Sequence, residues 1–221
     1  MDKVPLGLAG ELESSLELLC GRGRTRCVLG LRDILDDPAT VRQEWQLMNA
    51  DSAIGAFYDV VWVYGDPAVY DPVQEYAFYE KVAAKVRYTG CLGRWVGSDM
   101  VDDGGTGLPE TLDLPPGRLA LCLVGGGQDG YPLARAFAEA EVPSDTNRVV
   151  VTGPFMDDDA QRNVHGMADT RPRLKVLEFI PEIRRLLRSA ESVVAMGGYN
   201  TTYEILSCQK RALIVPRVQP R

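Results

Sequence analysis

Five short apolar runs, separated by Gly- or Pro-containing breaks and by segments with helical spacing, follow one another in the second half of the chain. Continuously apolar runs of this length, alternating with helices, are typical of parallel strands that are covered on both faces. The runs occupy residues 119–124, 148–153, 174–179, 192–196 and 212–215. The helices are expected at residues 132–141, 158–165, 181–189 and 200–209. This pattern predicts an α/β fold with a doubly wound parallel sheet.

The segment 95–117 is rich in Gly, Pro and Asp and has no periodicity, which indicates a linker between two domains. We therefore expect an N-terminal part, 1–94, and a C-terminal domain, 118–221. The first part offers strands at 27–31, 59–64 and 86–89 and helices at 11–20 and 39–48. Three strands make a thin sheet, so this part is interpreted as the back half of a larger domain.

Charge and cysteine usage exclude several classes of protein. A net charge of -7 argues against a nucleic-acid partner, because such proteins present a broad basic surface. The five cysteines are odd in number and form no CxxC or Cys/His cluster, so neither a disulfide framework nor a metal site is expected. No apolar stretch has the length of a signal peptide or a membrane span, which favours a cytoplasmic location and leaves peripheral membrane contact open.

The first chemical candidate is the segment GGGQDGYP, residues 125–132, between an apolar run and a helix. Such a turn lets the backbone approach a ligand, and the helix N-terminus favours phosphate. The spacing is not GxGxxG, and no P-loop lysine follows. A tight structural turn and a ligand site are both compatible with this segment.

The second candidate is MGGYNTTYEIL, residues 196–206, between two apolar runs. Its glycines permit close approach, Asn200 or Thr201 can cap the helix, and the first-turn amide groups would lie at the carboxyl edge of the sheet. Glu204 has two interpretations, a capping box with Thr201 or a carboxylate for ribose hydroxyls. Elsewhere, His165 is interpreted as a surface residue, and Cys122 as a small core residue.

Polar and aromatic residues of the N-terminal part also have two interpretations. Asp66 and Asp71 follow an apolar run, where they serve either function or Asx turns and helix caps. The aromatic residues can form core packing, which is favoured, or line a cleft. They are Trp62, Tyr64, Tyr70, Tyr76 and Tyr79.

These motifs occur in an order that resembles a known family. The succession GGGQDG, VVVTGPF and LEFIPEIRRLLRSAESVVAMGGYNTTYEILSCQKRALIVPR is similar to the C-terminal domain of glycosyltransferase family 28. This family includes the transferase that makes the lipid-linked disaccharide of peptidoglycan. The likeness covers residues 119–221, and the upstream segments VLGLRDILDDP and VRYTG resemble the back half of the acceptor domain in a bacterial subgroup.

The resemblance implies two Rossmann-like domains of the GT-B type that face each other across a cleft, with a uridine diphosphate sugar bound mainly by the C-terminal one. It assigns the diphosphate to Gly197, Gly198, Asn200 and Thr201. It assigns the ribose to Glu204, the base to Phe179 and Ile180, and the sugar-phosphate side to Gly126 and Gly127. It therefore favours the ribose interpretation of Glu204. No cofactor or metal is expected.

The chain departs from the family pattern at both ends. Family members begin with a strand and a Gly-rich turn that positions the acceptor-side base, and they continue past IVPR into an acidic-glutamine pair and a closing helix. We therefore expect a fragment that lacks the last helices of the C-terminal domain, has no assignable catalytic residue and is inactive alone.

The expected function is an inverting hexosyltransferase that uses a nucleotide sugar and an unidentified acceptor. Two alternatives remain. One is a non-catalytic donor-binding subunit whose partner chain supplies the other domain, and the other is a nucleotide-sugar 2-epimerase.

Overall fold

The structure, a computed structural model, describes residues 3–90, 112–181 and 183–217. The chain divides into two units, Met1–Leu92 and Gly93–Arg221. Cys91 and residues 95–111 of the expected linker lie outside the described residues. Leu112, in the remainder of that linker, is buried in a core of the second unit.

The first unit contains a parallel sheet of three described strands in the order β1-β2-β3. The strands are β1 (Val28–Arg32), β2 (Val60–Tyr64) and β3 (Val86–Tyr88). They match the three predicted runs closely, because each run alternates between residues that pack on the core and residues that stay more exposed.

Five described helices accompany this sheet, three more than the sequence predicted. They are α1 (Glu13–Gly21), α2 (Pro38–Leu47), α3 (Ala50–Phe57), α4 (Pro72–Glu75) and α5 (Glu80–Ala83). Helices α4 and α5 have only four residues each, too few for a helical period to show in the sequence. Asp71 caps α4 by accepting the Val73 N–H, and Asp66 accepts the Ala68 N–H, so both serve the local structure.

The aromatic residues of this unit divide between core and surface. Tyr76 is buried, and Trp45 stacks on Phe78 with ring centroids 4.7 Å apart. Trp62 and Tyr79 remain substantially exposed, so the expected core packing does not hold for these two side chains.

The second unit contains a parallel sheet of five described strands in the order β6-β5-β4-β7-β8. The strands are β4 (Arg118–Leu123), β5 (Thr146–Val151), β6 (Leu174–Leu177), β7 (Ser192–Met196) and β8 (Arg211–Val215). The helices between them are α6 (Tyr131–Glu139), α7 (Asp158–Ala168), α8 (Ile183–Ser189) and α9 (Tyr199–Ser207). The predicted doubly wound α/β domain is confirmed.

Hydrophobic cores lie on both faces of this sheet. Along β4, Leu119, Leu121 and Leu123 belong to one core, whereas Cys122 belongs to the other. Successive side chains of a strand point to opposite faces, so the continuous apolar run reflects a strand covered on both sides.

Strand β8 is an exception to the prediction that every run is covered on both faces. Leu213 is 62% exposed and Ile214 is 37% exposed. Among the described strands β8 has one neighbour, β7, and lies at the edge of the sheet. In the part of the chain that the structure describes, no helix is long and apolar enough to cross a bilayer.

Candidate functional site

The carboxyl ends of the second unit's strands meet at one edge of the sheet, because all neighbouring strands are parallel. The chain proceeds from β4 to β5 and β6 on one side and returns to β7 and β8 on the other. Ligands of open α/β sheets bind outside such a reversal of strand order. The two glycine-rich segments follow β4 and β7, the two strands at the reversal.

The glycine loop after β4 is a tight structural turn. Gly125 and Gly127 have positive φ angles of 68° and 99°. A Cβ at Gly127 would lie 2.3 Å from the backbone oxygen of Thr152, so no larger residue fits there. The Phe155 N–H donates to the Gly126 carbonyl over 2.8 Å. Gly125 and Gly126 keep exposed surface, so this turn also leaves backbone accessible at the crevice.

The glycine loop after β7 is tied to the neighbouring strand. The Gly197 N–H donates to the Val215 carbonyl over 2.8 Å, which extends the β7–β8 pairing by one residue. The Gly198 N–H donates to the Met196 carbonyl over 2.7 Å. The amide groups of both glycines therefore already have acceptors within the protein.

Helix α9 begins at Tyr199 with Gly198 as its N-cap, and no side chain caps it. The prediction that Asn200 or Thr201 caps the helix is wrong, because both residues already lie in its first turn. The capping-box explanation of Glu204 fails for the same reason, since it requires Thr201 at the N-cap. Within the described residues, the Asn200 and Thr201 amide groups have no hydrogen-bond acceptor.

Glu204 lies one turn further along α9 and is half-buried. On the same helix, the rings of Tyr199 and Tyr203 contact each other with centroids 4.7 Å apart. The Thr202 N–H makes the first helical bond, to the Gly198 carbonyl over 2.9 Å. The first two turns thus place Asn200, Thr201 and Glu204 on one short, regular segment.

The loops after β5 and β6 place aromatic rings at the same sheet edge. Phe179 is 69% exposed, whereas Ile180 is partly buried against a core. The Gly153 N–H donates to the Glu178 carbonyl over 2.9 Å, which joins the two loops. Phe155 is 66% exposed and was not singled out from the sequence. An aromatic residue directly after the strand-ending TGP was the signal that could have identified it.

Arg217 and Asp129 form an ion pair that sequence reasoning also missed. The Arg217 Nη2 lies 3.1 Å from the Asp129 Oδ1, and the two side chains are 19% and 28% exposed. Arg217 follows β8, and Asp129 belongs to the loop after β4. The pair places a largely buried cation at the carboxyl edge of the sheet.

Two residues with chemically active side chains lie outside this arrangement. His165 is exposed in the last turn of α7. Cys122 is fully buried in β4, and burial raises the pKa of its thiol to about 12. The described residues contain no group of three His, Cys, Asp or Glu side chains that could hold a metal ion.

The sequence pattern of the glycosyltransferase family 28 C-terminal domain matches residues 120–219. The matched residues make up 100 of the 221 in the chain, just under half, and lie within the second unit. No protein with a curated function matches the sequence significantly.

Solved structures share the fold at low sequence identity. A putative UDP-N-acetylglucosamine 2-epimerase from Listeria monocytogenes has a TM-score of 0.61 at 12% identity, with 98% of this chain and 63% of that chain covered. HepE from Anabaena, in complex with UDP and glucose, has a TM-score of 0.53 at 14% identity, with 93% and 61% covered. The glycotransferase of kitacinnamycin has a TM-score of 0.50 at 17% identity, with 98% and 50% covered.

The chain therefore spans between half and two thirds of the length of these proteins. All residues that the sequence assigned to a donor lie within the matched family 28 domain, as do Asp129, Phe155 and Arg217. The structure places them on the loops after β4, β5, β6, β7 and β8 or on the first two turns of α9. Within the described residues, the candidate binding groups thus lie at one edge of the five-stranded sheet.

Proposed function

We propose that this chain is the donor-binding part of an inverting glycosyltransferase that transfers a hexosyl group from a UDP sugar to an acceptor hydroxyl. The observation that carries the proposal is the uncapped N-terminus of α9, which follows β7 at the reversal of strand order in a family 28 domain. Helix N-termini in this position favour anions. The anionic group of a nucleotide sugar is its diphosphate, which would bind at the N-terminus of α9.

The diphosphate would bind at the first turn of α9. Asn200 and Thr201 would donate their amide groups to it, since these groups have no acceptor within the described residues. Gly197 and Gly198 would contribute space for close approach instead of free donors, because their own amide groups are engaged. Fixed amide dipoles at this position would also stabilise the charge that develops on the leaving nucleotide.

The nucleoside and the sugar would occupy the adjacent loops. Glu204 would accept hydrogen bonds from the ribose hydroxyls, and Phe179 and Ile180 would contact the base. Gly126 would border the sugar-phosphate side. Gly127 would hold the turn that shapes this border, since its position permits no side chain. UDP is favoured as the nucleotide because HepE, which shares the fold, is in complex with UDP and glucose.

The reaction would be a direct displacement at the anomeric carbon. The bond from the acceptor oxygen to that carbon forms while the bond to the diphosphate oxygen breaks, and a base takes the acceptor proton. No residue of this chain is assigned as that base. We propose that the chain binds a donor and transfers no sugar on its own.

Calorimetric titration with UDP tests the site. Glu204→Ala is expected to weaken binding about tenfold or more, because a carboxylate that pairs with ribose hydroxyls is lost. His165→Ala is the matched control, since His165 is exposed on α7. The His165→Ala variant should bind UDP as tightly as the unaltered chain does. Equal losses in both variants would overturn the site assignment, and absence of UDP binding by the unaltered chain would overturn the proposed function.

A nucleotide-sugar 2-epimerase is the second candidate, because the Listeria 2-epimerase has a similar fold. Incubation of the full chain with UDP-N-acetylglucosamine, followed by proton NMR, distinguishes the two functions. The transferase proposal expects no C2 epimer to form. Accumulation of the epimer would favour the second candidate.

A non-catalytic subunit of a split transferase is the remaining alternative from the sequence, with a partner chain that supplies the acceptor domain. Donor binding alone does not separate it from the leading proposal. Sugar transfer that appears only when this chain is mixed with a separate chain carrying the acceptor domain would favour it.

A further inference from the structure

Arg217 and its chain segment lie near both glycine loops, the one after β4 and the one after β7. Its chain segment runs beside the loop after β7, since the Gly197 N–H donates to the Val215 carbonyl and a Cβ at Gly197 would lie 3.7 Å from the Pro216 Cα. Its guanidinium reaches the loop after β4, since a Cβ at Gly125 would lie 3.7 Å from Arg217 Nη2. The Arg217 guanidinium therefore lies near the carboxyl ends of β4 and β7, where the strand order reverses.

The ion pair with Asp129 does not use the full bonding capacity of Arg217. The guanidinium carries five N–H donors, and a nucleotide phosphate can occupy several of them at once. The Arg217 Nε is inaccessible to solvent and has no acceptor among the described residues. The Asp129 Oδ1 is likewise inaccessible and accepts no well-directed hydrogen bond, although it lies 3.1 Å from Nη2. Charge attraction alone holds this pair.

A largely buried guanidinium needs a compensating negative charge. Asp129 supplies that charge in this structure. A diphosphate bound at the first turn of α9 would supply a stronger one close to the same position. An arginine can exchange a carboxylate partner for a phosphate, because the N–H groups of its planar guanidinium match the spacing of phosphate oxygens and because arginine side chains are always charged.

We infer that Arg217 binds the diphosphate of the donor and that Asp129 is its counter-ion while the site is empty. This inference rests on the proposed function, since the same sheet edge must bind a nucleoside diphosphate. Asp129 then competes with the ligand, so the two partners of one ion pair have opposite effects on affinity. If the ion pair only held the segment after β8 against the loop after β4, removal of either partner would change the affinity in the same direction.

The experiment compares UDP, inorganic pyrophosphate and uridine as ligands of the full chain by calorimetry. Arg217→Gln is expected to weaken UDP and pyrophosphate binding roughly tenfold or more, because charge-assisted hydrogen bonds are lost. Uridine binding should not change. Asp129→Asn breaks the same ion pair and is the matched control, and it should keep or raise the affinity for both phosphate ligands.

Thermal unfolding separates this effect from a loss of structure. Both variants break the pair, so they should lower the unfolding midpoint by similar amounts, while only Arg217→Gln loses UDP. If Arg217→Gln does not fold, Arg217→Lys replaces it in the comparison, because lysine keeps the positive charge but lacks the planar guanidinium group. Arg217→Lys should bind UDP more weakly than Asp129→Asn does.

Three results would overturn the inference. Equal UDP losses in Arg217→Gln and Asp129→Asn would show that the pair is only a tie between loops. Unchanged UDP affinity in Arg217→Gln would show that Arg217 does not contact the phosphates, while the proposed function would stand. Binding of neither UDP nor pyrophosphate by the unaltered chain would overturn both the inference and the proposed function.

Discussion

Gly127 lies so close to Thr152 that the backbone oxygen of Thr152 occupies the space of a side chain. A Cβ at Gly127 would be 2.3 Å from that oxygen and 2.9 Å from the Met156 nitrogen. The φ angle of Gly127 is 99°, which few residues other than glycine adopt. The loops after β4 and β5 therefore depend on this position for their mutual packing.

Gly127→Ala should destabilise the second unit by about 1–3 kcal/mol, because both the positive φ and the contact with Thr152 oppose a methyl group. Urea unfolding measures the change. Gly166→Ala is the control, since Gly166 lies in α7 with open space around its Cβ position, and a helical alanine should be neutral or stabilising by up to about 1 kcal/mol. Equal unfolding midpoints for both variants would contradict the packing argument.

Ile205 anchors α9 on the sheet, and its neighbour Leu206 does not. Ile205 is 2% exposed within a core, whereas Leu206 is 62% exposed. Ile205→Ala should lower the free energy of unfolding by about 2–5 kcal/mol, because it leaves a cavity in a packed core. Leu206→Ala should change it by less than about 0.5 kcal/mol. The face assigned to α9 would be incorrect if Leu206→Ala proved the more damaging change in chemical denaturation.

Asp37 should make the stability of the first unit depend on acid pH. It caps α2, and the Thr40 N–H and the Thr40 hydroxyl hold the pKa of Asp37 below its usual 3.8. A depressed folded pKa stabilises the folded state above the unfolded pKa, and this contribution is lost as the pH falls through the folded value.

Thermal unfolding of Asp37→Ala should therefore show a deficit at pH 7 that shrinks below about pH 4. Asp37→Asn retains a capping side chain without the charge, so it should lose less stability at pH 7 than the alanine variant. A deficit for Asp37→Ala that grew on acidification would reverse the predicted sign.

Cys122 should resist thiol reagents in the folded protein. Its pKa of about 12 leaves about one thiol in ten thousand ionised at pH 8, and the thiolate is the reactive form. Cys20 is exposed and provides the comparison within the same chain. Peptide mass mapping after iodoacetamide treatment should find Cys20 alkylated and Cys122 intact until denaturant is added. Alkylation of both at similar rates would contradict the burial of β4.

Local patterns predicted most of the fold of the second unit. The five apolar runs correspond to β4 through β8, although the edge strand β8 remains largely exposed among the described residues. Helix ends were less predictable. Helix α7 continues to Ala168, three residues past the predicted end, since Gly166 is tolerated in a helix and the residues beyond His165 include no strong stop signal. In the first unit, α3 was missed, since residues 50–57 include Asp51, Ser52 and Gly55, which have low helix propensity.

The amino-acid sequence by itself determined the α/β class, the order of the elements along the chain and the two glycine-rich segments that follow apolar runs. These features follow from side-chain periodicity and from residues that are adjacent in the chain. Only the tertiary structure decided which amide groups stay available, since the bond from Gly197 to Val215 depends on the register between β7 and β8. It also decided the pairing of Arg217 with Asp129, because contacts between distant segments depend on how the strands are ordered in the sheet.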